Sequence, residues 1–318
     1  MPLMEKKRDW KKYERELGER KQKIVDFILS RPTAEELLKE LEKLNRRKKG
    51  RKFQLPKSVL LLFHFLKNTF RIDDRMLAKF LSKFMNAILP RQSPFDHSTI
   101  VKRRGELDLY IPSGITPEKL AGKTLYFDGV CLRLGRGGYY RHKRHKTGAK
   151  YLRIGIFTDD NGKVVDFTIG DEHDAEIHMI REKLPLIEKS RAKAMTIDGI
   201  GSAIDVVCRL TKSGIDPIIR ASERVVESKQ NAPPPEQCIR EKSVDEIIWE
   251  KYVKAQEDYQ KWRKETGYSM RWVFSEGIFS SFKRMHGEEV FCRTKKSIHD
   301  EVCMKFVLLE GNLPKLWA

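Results

Sequence analysis

No stretch of this chain is apolar enough to cross a bilayer. The longest hydrophobic run, Val59 to Leu66, is interrupted by His64 and falls far short of the roughly 20 residues that a spanning helix needs. Met1 to Lys12 is charged rather than apolar, so no secretory signal is expected there. The five cysteines, Cys131, Cys208, Cys238, Cys292 and Cys303, are far apart and odd in number. They form no Cys-x-x-Cys pair, which excludes a zinc ribbon or a dithiol redox centre. Reduced, mostly buried thiols in a cytoplasmic protein are expected instead. No segment repeats at a solenoid period. Acidic residues are in deficit as well: 45 Asp and Glu face 64 Lys and Arg, for a net charge of +19 over 318 residues. Neutralising a phosphate releases condensed counterions, so such a surplus favours nucleic acid over a membrane or a neutral metabolite. A solvated basic surface has the same composition, and charge alone names no substrate.

What is present divides by pattern near residue 115. Residues 1–115 read as helical, with Thr33 opening a helix that carries Glu35 and Glu36 in its first turn. Pro32 and Pro56 mark breaks, and between them Arg46, Arg47, Lys48, Lys49, Arg51 and Lys52 form either a flexible linker or an arm along phosphates. Apolar residues recur at helical spacing over Ser58 to Leu66 and Asp73 to Met85. Ser93 to Ile100, followed by Lys102, Arg103 and Arg104, suits either a helix-turn-helix that reads DNA or a small bundle with a basic edge.

After Pro112 and Pro117 the period changes to alternation. Thr124 to Asp128 places Leu125 and Phe127 on one strand face and Asp128 on the other. Tyr151 to Thr158 and Val164 to Ile169 flank Asn161-Gly162, a tight-hairpin signal. A helix over Glu172 to Ser190, a strand over Ala194 to Ile197, a helix over Ser202 to Lys212 and a strand over Asp216 to Ile219 follow. Ser222 to Gln237 reads as a loop, Ser243 to Lys264 as one long helix, Ser275 to His286 as a shorter one, and Ser297 to Leu309 as the closing helix. Three antiparallel strands followed by alternating helices and parallel strands give an α/β fold, with helices on both faces of a mixed sheet of the ribonuclease H-like layout. A small all-helical domain (1–115) would precede that domain (116–318), which carries an insertion at about 222–270.

Asp128 and Asp198 each end a short apolar run and each precede a glycine, so both project from neighbouring strands. Either alone suits a strand-terminal turn, whereas the pair calls for a cation between two repelling carboxylates, and hard oxygen ligands suit magnesium or manganese. Glu276 is the third acid. With Ser275 starting its helix, Ile278, Phe282 and Met285 form the buried stripe, and Glu276 and Lys283 share a face. Between the first two strands, Arg141, His142, Lys143, Arg144, His145 and Lys146 make a basic run. No second ligand pair accompanies its histidines, so phosphate contact is preferred to metal binding.

Tyr268, Arg271, Glu276 and Lys283 together resemble the tyrosine, arginine, glutamate, lysine signature of bacterial and archaeal insertion-sequence transposases. In that family the Glu completes a DDE triad. Phe279 to Glu288 resembles the phrase after that Glu, Pro94 to Arg104 resembles the segment before the catalytic domain, and His173-Asp174 resembles a pair found in relatives. Asp128, Asp198 and Glu276 fall in the matching order, 70 and 78 residues apart (198 − 128 and 276 − 198). Two departures stand out: four residues separate Arg271 from Glu276 where three are usual, and no Tyr follows Asp198 closely. The resemblance implies metal-dependent cleavage and strand transfer of DNA, with Mg2+ (Mn2+ as substitute) held by Asp128, Asp198 and Glu276. Lys283, Arg271, Arg284, Arg141, Lys143, Arg144, Lys146, Arg103 and Arg104 are the expected DNA contacts. The implied partners are double-stranded DNA, comprising the terminal inverted repeats of an element and its target, and a second copy of the chain in a nucleoid-associated dimer. A ribonuclease H-like nuclease or resolvase, and a domesticated DNA-binding protein without transposition activity, are the alternatives.

Overall fold

A computed structural model describes residues 32–50, 52–70, 72–90, 95–104, 107, 114–134, 151–171, 174–199, 202–221, 243–292 and 295–310, with isolated positions 15, 18, 19, 22 and 26 before them. The chain divides into two compact units. One is built on Ile111–Phe291, the other on Lys7–Tyr110 together with Cys292–Ala318.

The described elements of the second unit are helices. α1 (Ala34–Asn45) starts at a reciprocal cap: the Thr33 hydroxyl accepts from the Glu36 amide, and the Glu36 carboxylate accepts from the Thr33 amide. Such a cap is worth about 1 kcal/mol. α2 (Lys57–Phe70) follows Pro56. α3 (Asp74–Ile88) is capped by the Asp73 carboxylate, which accepts from the amides of Arg75 and Met76. Leu77, Leu81 and Met85, four residues apart, form the buried stripe of α3 and meet Val59, Leu60 and Phe63 of α2 in one core. α4 (His97–Arg104) closes that core with Ile100. The Asn45 amide donates to the Phe53 carbonyl at 2.9 Å and its oxygen accepts from the Phe53 amide at 2.7 Å. Asn45 and Phe53, which flank the basic run, are thereby held together.

The closing helix belongs to this unit as well. Its Met304 and Leu308 lie in the same core as α1 to α4, so the sheet domain stops near Phe291 and does not run to residue 318. Periodicity marks the apolar face of a helix but not the core that face fills.

The other unit begins with α5 (Pro117–Leu120) and is organised by a mixed sheet. β1 (Thr124–Leu134), β2 (Tyr151–Thr158) and β3 (Val164–Asp171) pair antiparallel. α6 (Glu176–Lys189) leads to β4 (Ala194–Ile197), and α7 (Ile204–Lys212) leads to β5 (Asp216–Ile219). β4 pairs parallel with both β1 and β5, giving the order β3-β2-β1-β4-β5. The β2–β3 turn has Gly162 at φ 72°, and the buried Asp159 carboxylate accepts from the amides of Asn161 and Lys163 and from Lys123 Nζ, each at 3.0 Å. These bonds hold the Asp159 carboxyl below the ordinary range despite its burial, which alone would raise it. Phe127, Phe157, Met195 and Ile197 of the sheet meet Met179, Ile180, Val206 and Leu210 of α6 and α7 in the core.

The stretch expected as one long helix is two. α8 (Val244–Lys254), opened by a Ser243–Glu246 capping box, ends before Gln256, and α9 (Tyr259–Thr266) is capped afresh by Asp258. The break lets Gln256 turn inward. Its side chain donates to the Ile219 carbonyl at 3.0 Å and accepts from the Ala221 amide at 2.8 Å, while Tyr252 donates to the same Ile219 carbonyl. Polar groups at the edge of β5 are thereby satisfied. Trp249 of α8 and Trp262 of α9 pack on the sheet unit, so these helices cover the sheet. α10 (Gly277–His286), β6 (Glu289–Val290), which pairs parallel with the end of β1, and α11 (Lys295–Glu310) are the last described elements. No described helix is long and apolar enough to cross a membrane.

Candidate active site

Register brings the first two acids together. Tyr126 of β1 is the parallel partner of Thr196 of β4, so Asp128 and Asp198, each two residues further on, stand level on adjacent strands. Neighbouring strands are about 4.8 Å apart. Each carboxylate accepts from the amide of the glycine that follows it, Gly129 at 2.9 Å and Gly199 at 2.7 Å.

The third acid arrives on a π-helical turn. After α9, Gly267 at φ 69° reverses the chain, Tyr268–Met270 forms a short 3-10 turn, and Trp272–Glu276 is wound as a π-helix in which the Gly277 amide donates to the Trp272 carbonyl five residues back. A π-turn takes one residue more than an α-turn. Arg271 and Glu276, five apart, therefore face the same way, and their side chains meet at 3.1 Å. The five-residue spacing is absorbed within the turn itself. The Phe274 ring packs 5.0 Å from that of Tyr126, and the Thr158 hydroxyl donates to the Phe274 carbonyl at 2.8 Å, which fixes the turn to β1 and β2.

Ser275 is consequently not a helix start. It is buried in the π-turn, with its hydroxyl donating to the Arg271 carbonyl at 2.8 Å. The changed winding also rotates α10, so its buried residues are Phe279, Phe282 and His286, whereas Met285 of the expected stripe is exposed.

Arg271 is the hub. Only 7% of its side chain is exposed, and its guanidinium lies 3.1 Å from Glu276, 3.7 Å from Asp128 and 3.8 Å from Asp198. A guanidinium can bridge several carboxylates because its donors fan out in one plane. Burial pushes the Asp128 carboxyl up to about 6, against the pull of Arg271 and the Gly129 amide and with a further push from Glu276 and Glu176. The Tyr268 hydroxyl donates to Asp198 at 3.2 Å, and burial together with that carboxylate raises its phenol above the ordinary range.

The other expected residues are dispersed. Lys283 pairs with Glu288 at 3.3 Å, so its ammonium is turned to that residue and not to Glu276. Arg284 is exposed, its Nε donating to the Ser280 carbonyl at 3.3 Å. Arg103 is buried in the helical unit with its guanidinium 3.9 Å above the Phe53 ring, which removes it from the surface expected of a DNA contact. Arg104 ends α4, and its side chain lies outside the described residues, as do Arg141, Lys143, Arg144 and Lys146.

Two neighbours of the acids carry no distinct signal of that position in the sequence. Tyr268 was visible as part of the signature, but its bond to Asp198 was not. Glu176, in the first turn of α6, reads in sequence as an ordinary acidic helix start.

No family model and no curated protein matches this chain. The three acids offer hard oxygen donors of the kind magnesium and manganese prefer. Among the described residues no three acids stand close enough to hold a metal as placed. Oxygens bound to one Mg2+ lie about 3 Å apart, and here the guanidinium occupies the space between the carboxylates. Arg271 thus supplies the positive charge that the three carboxylates share.

Proposed function

We propose that this chain is a DDE transposase that cuts and rejoins DNA at the ends of an insertion sequence. The observation that carries the reading is the convergence of Asp128, Asp198 and Glu276, from three separate elements, on the single buried guanidinium of Arg271. The strand order and the placement of α6 and α7 support a ribonuclease H-like catalytic domain, and the α1 to α4 core supports a helical DNA-binding domain beside it in the sequence.

Asp128, Asp198 and Glu276 would hold Mg2+, or Mn2+ in its place. When bound, two such ions activate the attacking oxygen and stabilise the leaving one in an in-line displacement at phosphorus. The protein's own groups prepare that centre. Arg271 offsets the repulsion among the carboxylates, the Tyr268 hydroxyl orients Asp198, and the Gly129 and Gly199 amides fix one oxygen of each aspartate. Arg271 would also hold a DNA phosphate beside them. Attack by water frees a 3′-hydroxyl at the element end, and that hydroxyl then attacks target DNA.

The test uses the full chain, a duplex carrying the DNA that flanks its reading frame on either side, and a plasmid target. Mg2+-dependent joining of the cut end to the plasmid, lost in Glu276→Gln, is expected. Cleavage without joining would indicate a hydrolytic nuclease. Binding without cleavage would indicate a DNA-binding protein that has left transposition.

A further inference from the structure

One face of α3 carries charge of a single sign. Arg75, Lys79 and Lys83 recur every four residues along it, about 6 Å apart on the helix axis, and all three are exposed. Among the described residues none of their side chains forms an ion pair. Asp74, the one acid within α3, meets Lys67, and Asp73 is engaged by the amides it caps. α1 of the same unit shows the ordinary arrangement of an exposed face, with Glu35 and Lys39 one turn apart and paired at 2.7 Å. Like charges at that spacing disfavour a helix, so the α3 stripe persists against its own repulsion.

Apolar surface lies beside this charge. Met76 and Phe80 are 51% and 50% exposed, although Leu77, Leu81 and Met85 fill the core from the same helix. The Ser82 hydroxyl donates to the Ala78 carbonyl and accepts from the Phe95 amide, each at 2.8 Å, which holds the segment leading into α4 against α3. A groove of about 550 Å³ runs there, lined by Ala78, Ser82 and Phe95 together with the three cations, Met76 and Phe80. Asp96 is its one carboxylate and accepts from the Ser98 amide at 2.7 Å, so three cations face a single acid already engaged by its own helix.

An occupant of this groove must be anionic and must also offer apolar contacts. A second copy of the chain, at a net charge of +19, brings like charge instead. A DNA strand meets both demands. Its phosphates recur about every 3.4 Å along the duplex axis, so cations spread over about 12 Å can each neutralise one. Thymine methyls are apolar partners for a phenyl ring.

We propose that the α3 groove holds one backbone of duplex DNA, with Arg75, Lys79 and Lys83 on its phosphates and Phe80 against the apolar edge of the same strand. The proposal rests on the reading of the helical unit as a DNA-binding domain. It places the contact on α3 and not at the Arg103 end of α4, where that guanidinium is turned onto Phe53.

The experiment measures, by fluorescence anisotropy, binding of the full chain to a labelled duplex of arbitrary sequence over a series of NaCl concentrations, with chelator present so that nothing is cut. Wild type is compared with the triple variant Arg75→Gln, Lys79→Gln, Lys83→Gln, with Phe80→Ala, and with a charge-matched control on the sheet unit, Lys254→Gln, Lys261→Gln, Lys264→Gln, whose lysines are also exposed. Thermal melting of each variant reports folding. Each phosphate contact contributes about 0.9 to the slope of log K against log salt, so the α3 triple variant should lower that slope by about 2.7. Phe80→Ala should weaken binding several-fold at an unchanged slope, and the control should keep the wild-type slope. A wild-type slope in the α3 variant overturns the proposal and leaves the groove to an acidic protein segment. An equal fall in the control also overturns it, because net charge and not the groove would then govern binding. Wild-type affinity in Phe80→Ala places DNA outside the groove and overturns it as well. Absence of DNA binding by wild type removes the DNA-binding reading itself, whereas failure of the strand-joining assay leaves this result untouched.

Discussion

Replacing Asp128 with asparagine should make the protein more stable at neutral pH when divalent cations are absent. The Asp128 side chain is only 15% exposed, and burial moves its carboxyl from an ordinary 3.8 to about 6 in spite of Arg271. Each tenfold displacement of an ionisation equilibrium is worth about 1.36 kcal/mol, so ionised Asp128 costs the fold about 3 kcal/mol relative to a neutral side chain of the same shape. The sign follows from proton binding. Because the folded state holds this proton more tightly than the unfolded chain, stability is highest below 3.8, declines as pH rises from there to about 6, and levels off above. Asparagine mimics the protonated form and lacks that decline. Urea unfolding in the presence of a chelator at pH 4, 5, 6 and 7, followed by the fluorescence of Trp249, Trp262 and Trp272 in the sheet unit, measures the difference. The variant should match wild type near pH 4 and exceed it by about 3 kcal/mol at pH 7. Saturation with Mg2+ or Mn2+ at a hundredfold excess over Kd should then stabilise wild type by about 2.7 kcal/mol and the variant hardly at all, closing the gap. A variant no more stable than wild type at pH 7, or a difference that does not vary with pH, would refute the account of Asp128 as a desolvated acid awaiting a cation.

Arg271→Ala leaves three carboxylates facing one another without their shared counter-ion and should destabilise the metal-free protein by roughly 3–5 kcal/mol in the same unfolding assay. Arg271→Lys should recover only part of that, because one ammonium cannot span contacts made by two guanidinium nitrogens. Deleting exposed Val273 turns the five-residue separation of Arg271 and Glu276 into an α-helical four, so stability should change by less than about 1 kcal/mol and Mg2+-dependent cleavage should survive. Deleting Ile278 instead rotates Phe279 and Phe282 by roughly 100° out of the core and should abolish cleavage. Gly155→Ala would set a Cβ 2.7–2.8 Å from the Phe127 ring, and thermal melting should show a loss of about 1–3 kcal/mol from overpacking.

The sheet was legible because its strands carry their own signals. Alternation marked the start of β1, the Asn161-Gly162 turn fixed the hairpin of β2 and β3, and short apolar runs ending in Asp-Gly marked where the acids leave the sheet. The region around Glu276 was legible in composition but not in phase. A π-turn has no composition that distinguishes it from an α-turn, and one residue of winding moved Ser275 inward and Met285 outward. Charge was the least reliable guide to position. Arg103 and Arg271 look like surface cations in a basic sequence, yet one lies against Phe53 and the other beneath three acids, because a guanidinium can be satisfied by rings and carboxylates inside the protein. Long-range assignments, such as the helix that crosses from the sheet portion of the chain to the helical core, depend on contacts that no local pattern encodes.

The charges gathered around Arg271 constrain how the proposed centre fills. Asp128, Asp198 and Glu276 bring three formal negative charges, and Arg271 returns one positive one. In a partly desolvated site an uncompensated charge is expensive, so the balance favours one divalent ion before DNA arrives. A second ion would leave the site positive by two, and phosphodiester groups are the anions available to offset it. DNA and the second ion should therefore bind cooperatively. In the proposed transposase the full pair of ions would then form only when there is a backbone to cut, and the net charge of +19 would favour that encounter.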